Sequence, residues 1–159
     1  MSFVSESVID EVIERMEVGE LVPEKAIAQL NLEQPVIVAY LFSENFDLLT
    51  TEEKDYLFYL TMIAWLSIRQ SRDNLPKVTE NQLGEQEEDN WTLLQAAPSG
   101  NFSTKLDVFF ENYPQEDLLA FVEDALSDVE DGPLSPEGRE LVFIALKTII
   151  DCLTDSKDS

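Results

Sequence analysis

The sequence predicts an all-α fold, either a single-domain helical bundle or a short α-solenoid of about six to eight helices. Three observations support this prediction. Apolar residues recur at helical spacing along most of the chain, several of these segments begin with helix-capping residues, and the one strand-like segment has no partner strand. A chain of 159 residues can bury a core without metal or disulfide staples, so we expect a single domain over 1–159.

The first two helices are predicted from periodicity and from residues suited to helix ends. Gly19 is placed to end a first amphipathic helix, and Pro23 suits the first position of a second, short helix that stops near Asn31. The first helix has apolar residues at helical spacing, namely Val8, Ile9, Val12, Ile13 and Met16.

The third segment, 36–42, is apolar and rich in β-branched residues, so its composition fits a buried strand or a buried helix. An unpaired strand would leave its backbone groups unsatisfied. We therefore predict a helix that starts at Pro35.

The fourth helix is predicted to form the centre of the fold. Thr50 and Glu53 form a capping box, and the helix that follows reaches about Ser71. It is apolar on nearly all sides between Tyr56 and Leu66, which requires neighbouring helices all round it. This apolar run is shorter than the roughly 20 residues that a membrane helix needs, so it indicates a buried core helix.

Residues 72–101 are polar and rich in acids. Thr79 and Gln82 form a second capping box, which predicts a helix near 79–96. We expect this segment to be an exposed, acidic insert between two parts of the chain.

Three further helices are predicted after the insert. Pro114 suits the start of the second of them, and Ser135 caps the last, with Pro136 in its first position. We expect the tail 155–159 to be frayed. The first of the three has a shared apolar face made of Leu106, Phe109, Phe110 and Tyr113.

A weak internal repeat suggests how these helices are arranged. Residues 50–59 match residues 135–144 in the order of cap, acid, base, acid and apolar run. One interpretation is two related helical halves, 1–71 and 102–154, joined by the insert. The other is that capping and core periodicity impose the same pattern on unrelated helices. Both remain open on the sequence.

The formal net charge of -23 limits the kinds of partner. No basic stripe is present to release the counterions of nucleic acid or of anionic lipid, so we expect neither as a direct ligand. A charged partner should instead be a protein with a basic patch. Without a recognisable signal segment, and with Cys152 as the single cysteine, we expect a soluble, cytoplasmic protein; the sequence does not indicate an oligomeric state.

The absence of histidine removes most catalytic chemistry. Ser-His and Cys-His nucleophile systems and histidine-ligated metal sites cannot be formed within the chain. One cysteine excludes thiolate clusters, and the isolated glycines exclude a phosphate-binding loop. We therefore expect no cofactor and lean against an enzyme.

Carboxylates remain as candidate ligands. Two pairs at three-residue spacing each lie on one helix face near a helix end, and such pairs can hold Mg²⁺ for nucleotide hydrolysis. The alternative is that these acids are solvated residues at helix ends, because a chain with 33 acids contains such pairs by chance. The pairs are Glu17 with Glu20, and Glu52 with Asp55.

The most interaction-like feature is a dense acidic run beside a tryptophan. The aromatic ring can anchor a partner while the acids attract a basic surface. The alternative is a solvated helix face whose tryptophan packs on the domain's own core. The predicted binding residues are Glu85, Glu87, Glu88, Asp89 and Trp91.

The sequence thus favours a non-enzymatic protein-interaction module that binds a partner with a basic surface. A Mg²⁺-dependent nucleotide hydrolase is the first alternative. Nucleic-acid mimicry, with acids in place of phosphates, is the second.

Overall fold

The computed structural model describes residues 3–72, 75–97, 100–111, 113–127 and 135–154, which form eight α-helices, one short 3-10 turn and no strand. The all-α prediction is confirmed, and the helices pack as a bundle. They are α1 (Glu6–Glu17), α2 (Pro23–Glu33), α3 (Pro35–Leu41), α4 (Thr51–Ser71), α5 (Glu80–Ala96), α6 (Phe102–Phe110), α7 (Glu116–Ser127) and α8 (Pro136–Thr154).

The helix ends follow the local signals in the sequence. Both capping boxes are formed, at the N-termini of α4 and of α5. Gly19 has φ +83°, a left-handed conformation that closes α1 and that glycine adopts without strain. The Asn101 side chain accepts a hydrogen bond from the Thr104 N–H at 2.8 Å and caps α6 in the same way.

Two boundaries differ from the prediction. α2 continues to Glu33, beyond the expected end near Asn31. Pro114 lies in a turn, and α7 begins two residues later, where the Gln115 carbonyl accepts the first helical hydrogen bond. The buried Gln115 side chain also accepts the Val4 N–H at 2.9 Å, which holds the N-terminal segment against the start of α7.

α4 and α8 pack against each other at the centre of the bundle. α1 and α2 pack on α4, α5 and α7 pack on α8, and α1 also contacts α7. Trp65 of α4 is completely buried, in agreement with the prediction that other helices surround α4 between Tyr56 and Leu66. α5 lies in the predicted insert 72–101, and it buries Leu83, Asn90 and Leu94 in its packing with α8.

The division into related halves, 1–71 and 102–154, stays a prediction. The tail 155–159 lies outside the described residues. Within the described ranges, no helix combines the length and the apolar character needed to cross a membrane.

A single carboxylate joins the N-termini of α4 and α8. Glu53 is 3% exposed, and one of its oxygens accepts the Thr50 N–H at 2.9 Å. The other oxygen accepts the Ser135 N–H at 2.9 Å and the Ser135 hydroxyl at 3.2 Å. A Cβ at Gly138 would overlap this second oxygen, so the close approach of α8 to Glu53 depends on glycine at that position.

Candidate functional site

The outer face of α5 carries three of the five predicted binding residues. Glu85, Glu88 and Asp89 are exposed. Their spacing of three and four residues places the carboxylates on one side of the helix. They form a small, open acidic surface.

The other two predicted residues, Glu87 and Trp91, face the bundle. Trp91 is partly buried and packs against the core. Glu87 accepts a hydrogen bond from the Tyr40 hydroxyl. Burial of Tyr40, the nearby negative charge of Glu87 and this hydrogen bond all raise the pKa of the Tyr40 hydroxyl.

Beneath this surface, a buried polar cluster fixes α5 on α8. Asn90 is fully buried and donates to the Thr148 hydroxyl at 3.1 Å. The Lys147 ammonium donates to the Asn90 side-chain oxygen at 3.2 Å and to Asp151 at 2.6 Å. Because an unpaired buried charge is costly, this set of hydrogen bonds defines one position for α5 along α8.

Asp151 also accepts hydrogen bonds from α5 and from the segment between α6 and α7. It accepts the Tyr113 hydroxyl at 2.6 Å and the Gln86 amide at 3.0 Å. Burial, the charge of Asp151 and its hydrogen bond raise the pKa of Tyr113. The Lys147 ammonium also lies 4.6 Å from the centre of the Tyr113 ring. Since its members satisfy one another, the cluster is suited to positioning α5 rather than to binding a ligand.

This buried cluster is not among the features that the sequence predicts. Lys147 follows an apolar run in α8 and is 5% exposed, although a lysine at such a position is normally solvated. The available signal was the position of Lys147 between apolar residues, with Asp151 one helical turn later.

A pocket of about 350 Å³, here called the acidic pocket, lies between α1 and α7. The Glu6 N–H donates to Asp117 at 3.0 Å across the two helices. The pocket combines carboxylates with apolar surface. Its lining consists of the acids Glu6, Asp10, Asp117 and Asp124 and the apolar residues Ile9, Ala120, Phe121 and Ala125.

This lining suits a lysine or arginine side chain. The apolar residues can cover the aliphatic stem, while the carboxylates meet the charged head. No sequence signal could have located the pocket, because Glu6 and Asp117 are 111 positions apart. The spacing of Glu6 and Asp10 predicts only that these two acids share a face of α1.

The carboxylates of the alternative metal site lie near the end of α1 and the start of α4. Glu17 ends α1, and Glu20 is ion-paired with Arg15 at 3.2 Å. Glu52 and Asp55 are exposed in the first turns of α4.

Nowhere in the described chain do three or more His, Cys, Asp or Glu side chains come close enough to hold a metal ion. The Mg²⁺-dependent hydrolase therefore has no converging ligand set among these residues and stays a prediction. Glu17 instead lies near Tyr59, whose pKa is raised by burial and by the charge of Glu17.

Comparison of the chain with protein-family models, with curated proteins and with solved structures gives no match, so its function has to be inferred from these surfaces.

Proposed function

We propose that this chain is a protein-interaction module that binds a partner with a basic patch. The observation that carries the proposal is the acidic pocket between α1 and α7, whose lining combines carboxylates with apolar side chains. A lysine or arginine side chain of the partner is the group that fits this combination.

The pocket favours a cation for an electrostatic reason. Asp10, Asp117 and Asp124 line the same concave space in a chain of net charge -23, so a cation that enters it is attracted by several carboxylates. An inserted ammonium or guanidinium can also form charge-assisted hydrogen bonds with a lining carboxylate. Binding energy is thereby concentrated at one site, although acids are spread over much of the surface.

The α5 surface of Glu85, Glu88 and Asp89 supports the same proposal in a different way. Its carboxylates are solvated, so they contribute more to the rate of association than to the lifetime of the complex. Since the buried cluster that contains Asn90 fixes α5 on α8, these carboxylates keep one position relative to the rest of the bundle. With Cys152 as the single cysteine, we place the interaction in the cytoplasm.

The first experiment identifies the partner by the salt dependence of its binding. The tagged chain is used to capture proteins from its own cell extract at low and at high salt. We expect a basic protein that is retained at low salt and released at high salt. Capture of nothing, or of proteins insensitive to salt, contradicts the proposal.

The second experiment locates the contact with purified partner. The double variant Asp10→Asn/Asp124→Asn removes two charges from the acidic pocket. The control Glu11→Gln/Glu14→Gln removes two exposed charges from α1 outside the pocket. We expect the pocket variant to bind about tenfold more weakly and the control to change little. Equal effects would show that only net charge matters, and not the pocket.

A third variant separates the α5 surface from the pocket. Glu85→Gln/Glu88→Gln/Asp89→Asn should lower the association rate at low salt and change the dissociation rate little. Stopped-flow or surface-based kinetics measures both rates. If the variant instead dissociates faster and associates at an unchanged rate, the α5 surface lies within the bound interface and does not act by attracting the partner from a distance.

A further inference from the structure

A second cleft has the opposite character to the acidic pocket. It has a volume of about 990 Å³ and lies among α1, α2, the end of α4 and the segment that follows α4. Four of the chain's ten lysine and arginine residues line it, with one carboxylate, Glu33. The four cations are Arg15, Arg69, Arg72 and Lys77. We call this space the basic cleft.

Apolar side chains lie beside these cations. Val12 belongs to the buried core, and Leu21 and Leu75 are partly buried against it. Leu32 also lines the cleft and is 74% exposed. The cleft thus offers leucine-rich surface next to positive charge, in a chain whose surface is otherwise dominated by acids.

One of the two ion pairs at the cleft is weak enough to be exchanged. Arg15 pairs with Glu20 through a single contact at 3.2 Å, with side chains 40% and 63% exposed. An exposed pair of this kind contributes little to stability, so a ligand carboxylate can join or replace Glu20 at small cost. Arg69 pairs with Glu33 through two contacts, from Nε at 3.0 Å and from Nη2 at 2.9 Å, and this bidentate pair is harder to displace. Lys77 is exposed and forms no ion pair with any residue in the described ranges.

We propose that the basic cleft binds an acidic peptide segment that carries leucine-like side chains, which makes it a second binding site distinct from the one for a basic partner. Charge complementarity selects the carboxylates, and guanidinium groups recognise them by paired hydrogen bonds. The neighbouring leucines select apolar side chains on the same segment.

Both parts of the ligand are required because of the chain's overall charge. A net charge of -23 repels an anion at long range, so the attraction of the cleft must come from direct contact. Guanidinium contacts alone are exposed and weak, whereas burial of leucine-like side chains adds a contribution that net charge does not oppose.

The test uses a fluorescent, amphipathic peptide of about a dozen residues, with glutamates on one face and leucines on the other. Anisotropy is measured at about 0.15 M salt, where charges beyond about 8 Å are screened. We expect saturable binding of this peptide. A version with glutamine in place of glutamate and a polyglutamate of equal length should both bind much more weakly. If either control peptide binds equally well, the proposal is overturned.

Variants of the chain locate the binding. Arg15→Gln/Lys77→Gln should weaken binding of the Glu-Leu peptide about tenfold, whereas Lys25→Gln/Lys54→Gln, with the same change in net charge, should leave it unchanged. If both double variants bind the Glu-Leu peptide equally weakly, the basic cleft is not its binding site.

The apolar half of the cleft is tested separately with Leu32→Ser. Because Leu32 is largely exposed, this change leaves the core intact. We expect several-fold weaker binding of the Glu-Leu peptide, and unchanged affinity would also refute the proposed site.

Discussion

Replacement of Glu53 by glutamine tests how the N-termini of α4 and α8 are held together. The carboxylate receives donors at both oxygens, from Thr50 on one side and from Ser135 on the other. Glutamine has one carbonyl oxygen, so its amide group must face one of these donors. One donor then loses its acceptor in a largely buried position.

The expected cost follows from this geometry. A buried donor left without an acceptor costs about 1–3 kcal/mol, and loss of a charge near a helix N-terminus costs about 0.3–1 kcal/mol. We expect Glu53→Gln to lower the free energy of unfolding by about 2–3 kcal/mol. Urea denaturation followed by circular dichroism measures it.

Glu52→Gln is the matched control. Glu52 lies in the same first turn of α4 but is exposed, so its replacement removes the same charge and no buried hydrogen bond. We expect a change of about 1 kcal/mol or less. Equal destabilisation by the two substitutions would refute the role assigned to the Ser135 contact.

The difference between wild type and Glu53→Gln should also depend on pH. Burial raises the pKa of Glu53, but the hydrogen bonds from Thr50 and Ser135 outweigh burial and hold the pKa below its usual value. Its stabilisation is therefore present at neutral pH. It is lost as the pH falls below the pKa of an unfolded-state glutamate, about 4.3, and on through the lower folded-state pKa. A difference that stays constant on acidification would contradict this explanation.

Two further predictions concern α8 and the glycines. Lys147→Met should lower the free energy of unfolding by about 3 kcal/mol or more, because it leaves the largely buried carboxylate of Asp151 without a cation. The double variant Lys147→Met/Asp151→Leu should cost less than the sum of the two single variants, and urea denaturation of all four proteins measures the difference. Gly19→Ala should lower the melting temperature, because Gly19 has a positive φ that alanine adopts only with strain. Gly84→Ala should raise it, because Gly84 lies in helix α5 and an added Cβ would meet nothing within 4 Å. Each change in the free energy of unfolding should be about 1 kcal/mol.

Most helix positions could be predicted because their signals are local. Thr50 and Thr79 bond to backbone groups three residues away, so their capping boxes are visible in the sequence. Proline suits a first helical position, so the sequence predicts that α7 starts at Pro114, but in the structure Pro114 lies in the preceding turn. There the Gln115 side chain reaches the distant Val4, a contact that no local pattern shows.

The candidate sites could be predicted only in part. Glu85, Glu88 and Asp89 share a face by helical spacing alone, and the structure leaves them exposed. Spacing could not show that Glu87 lies against Tyr40. The partner of an inward-facing residue depends on which helix packs beside it.

The sequence by itself determined that the chain is helical, strongly acidic and without imidazole, because composition and short-range spacing are properties of the chain alone. Only the tertiary structure decided that α1 and α7 enclose an acidic pocket, and that Arg15, Arg69, Arg72 and Lys77 gather in one cleft. These arrangements arise where distant helices bury their apolar faces together, and that packing also determines which polar residues become neighbours.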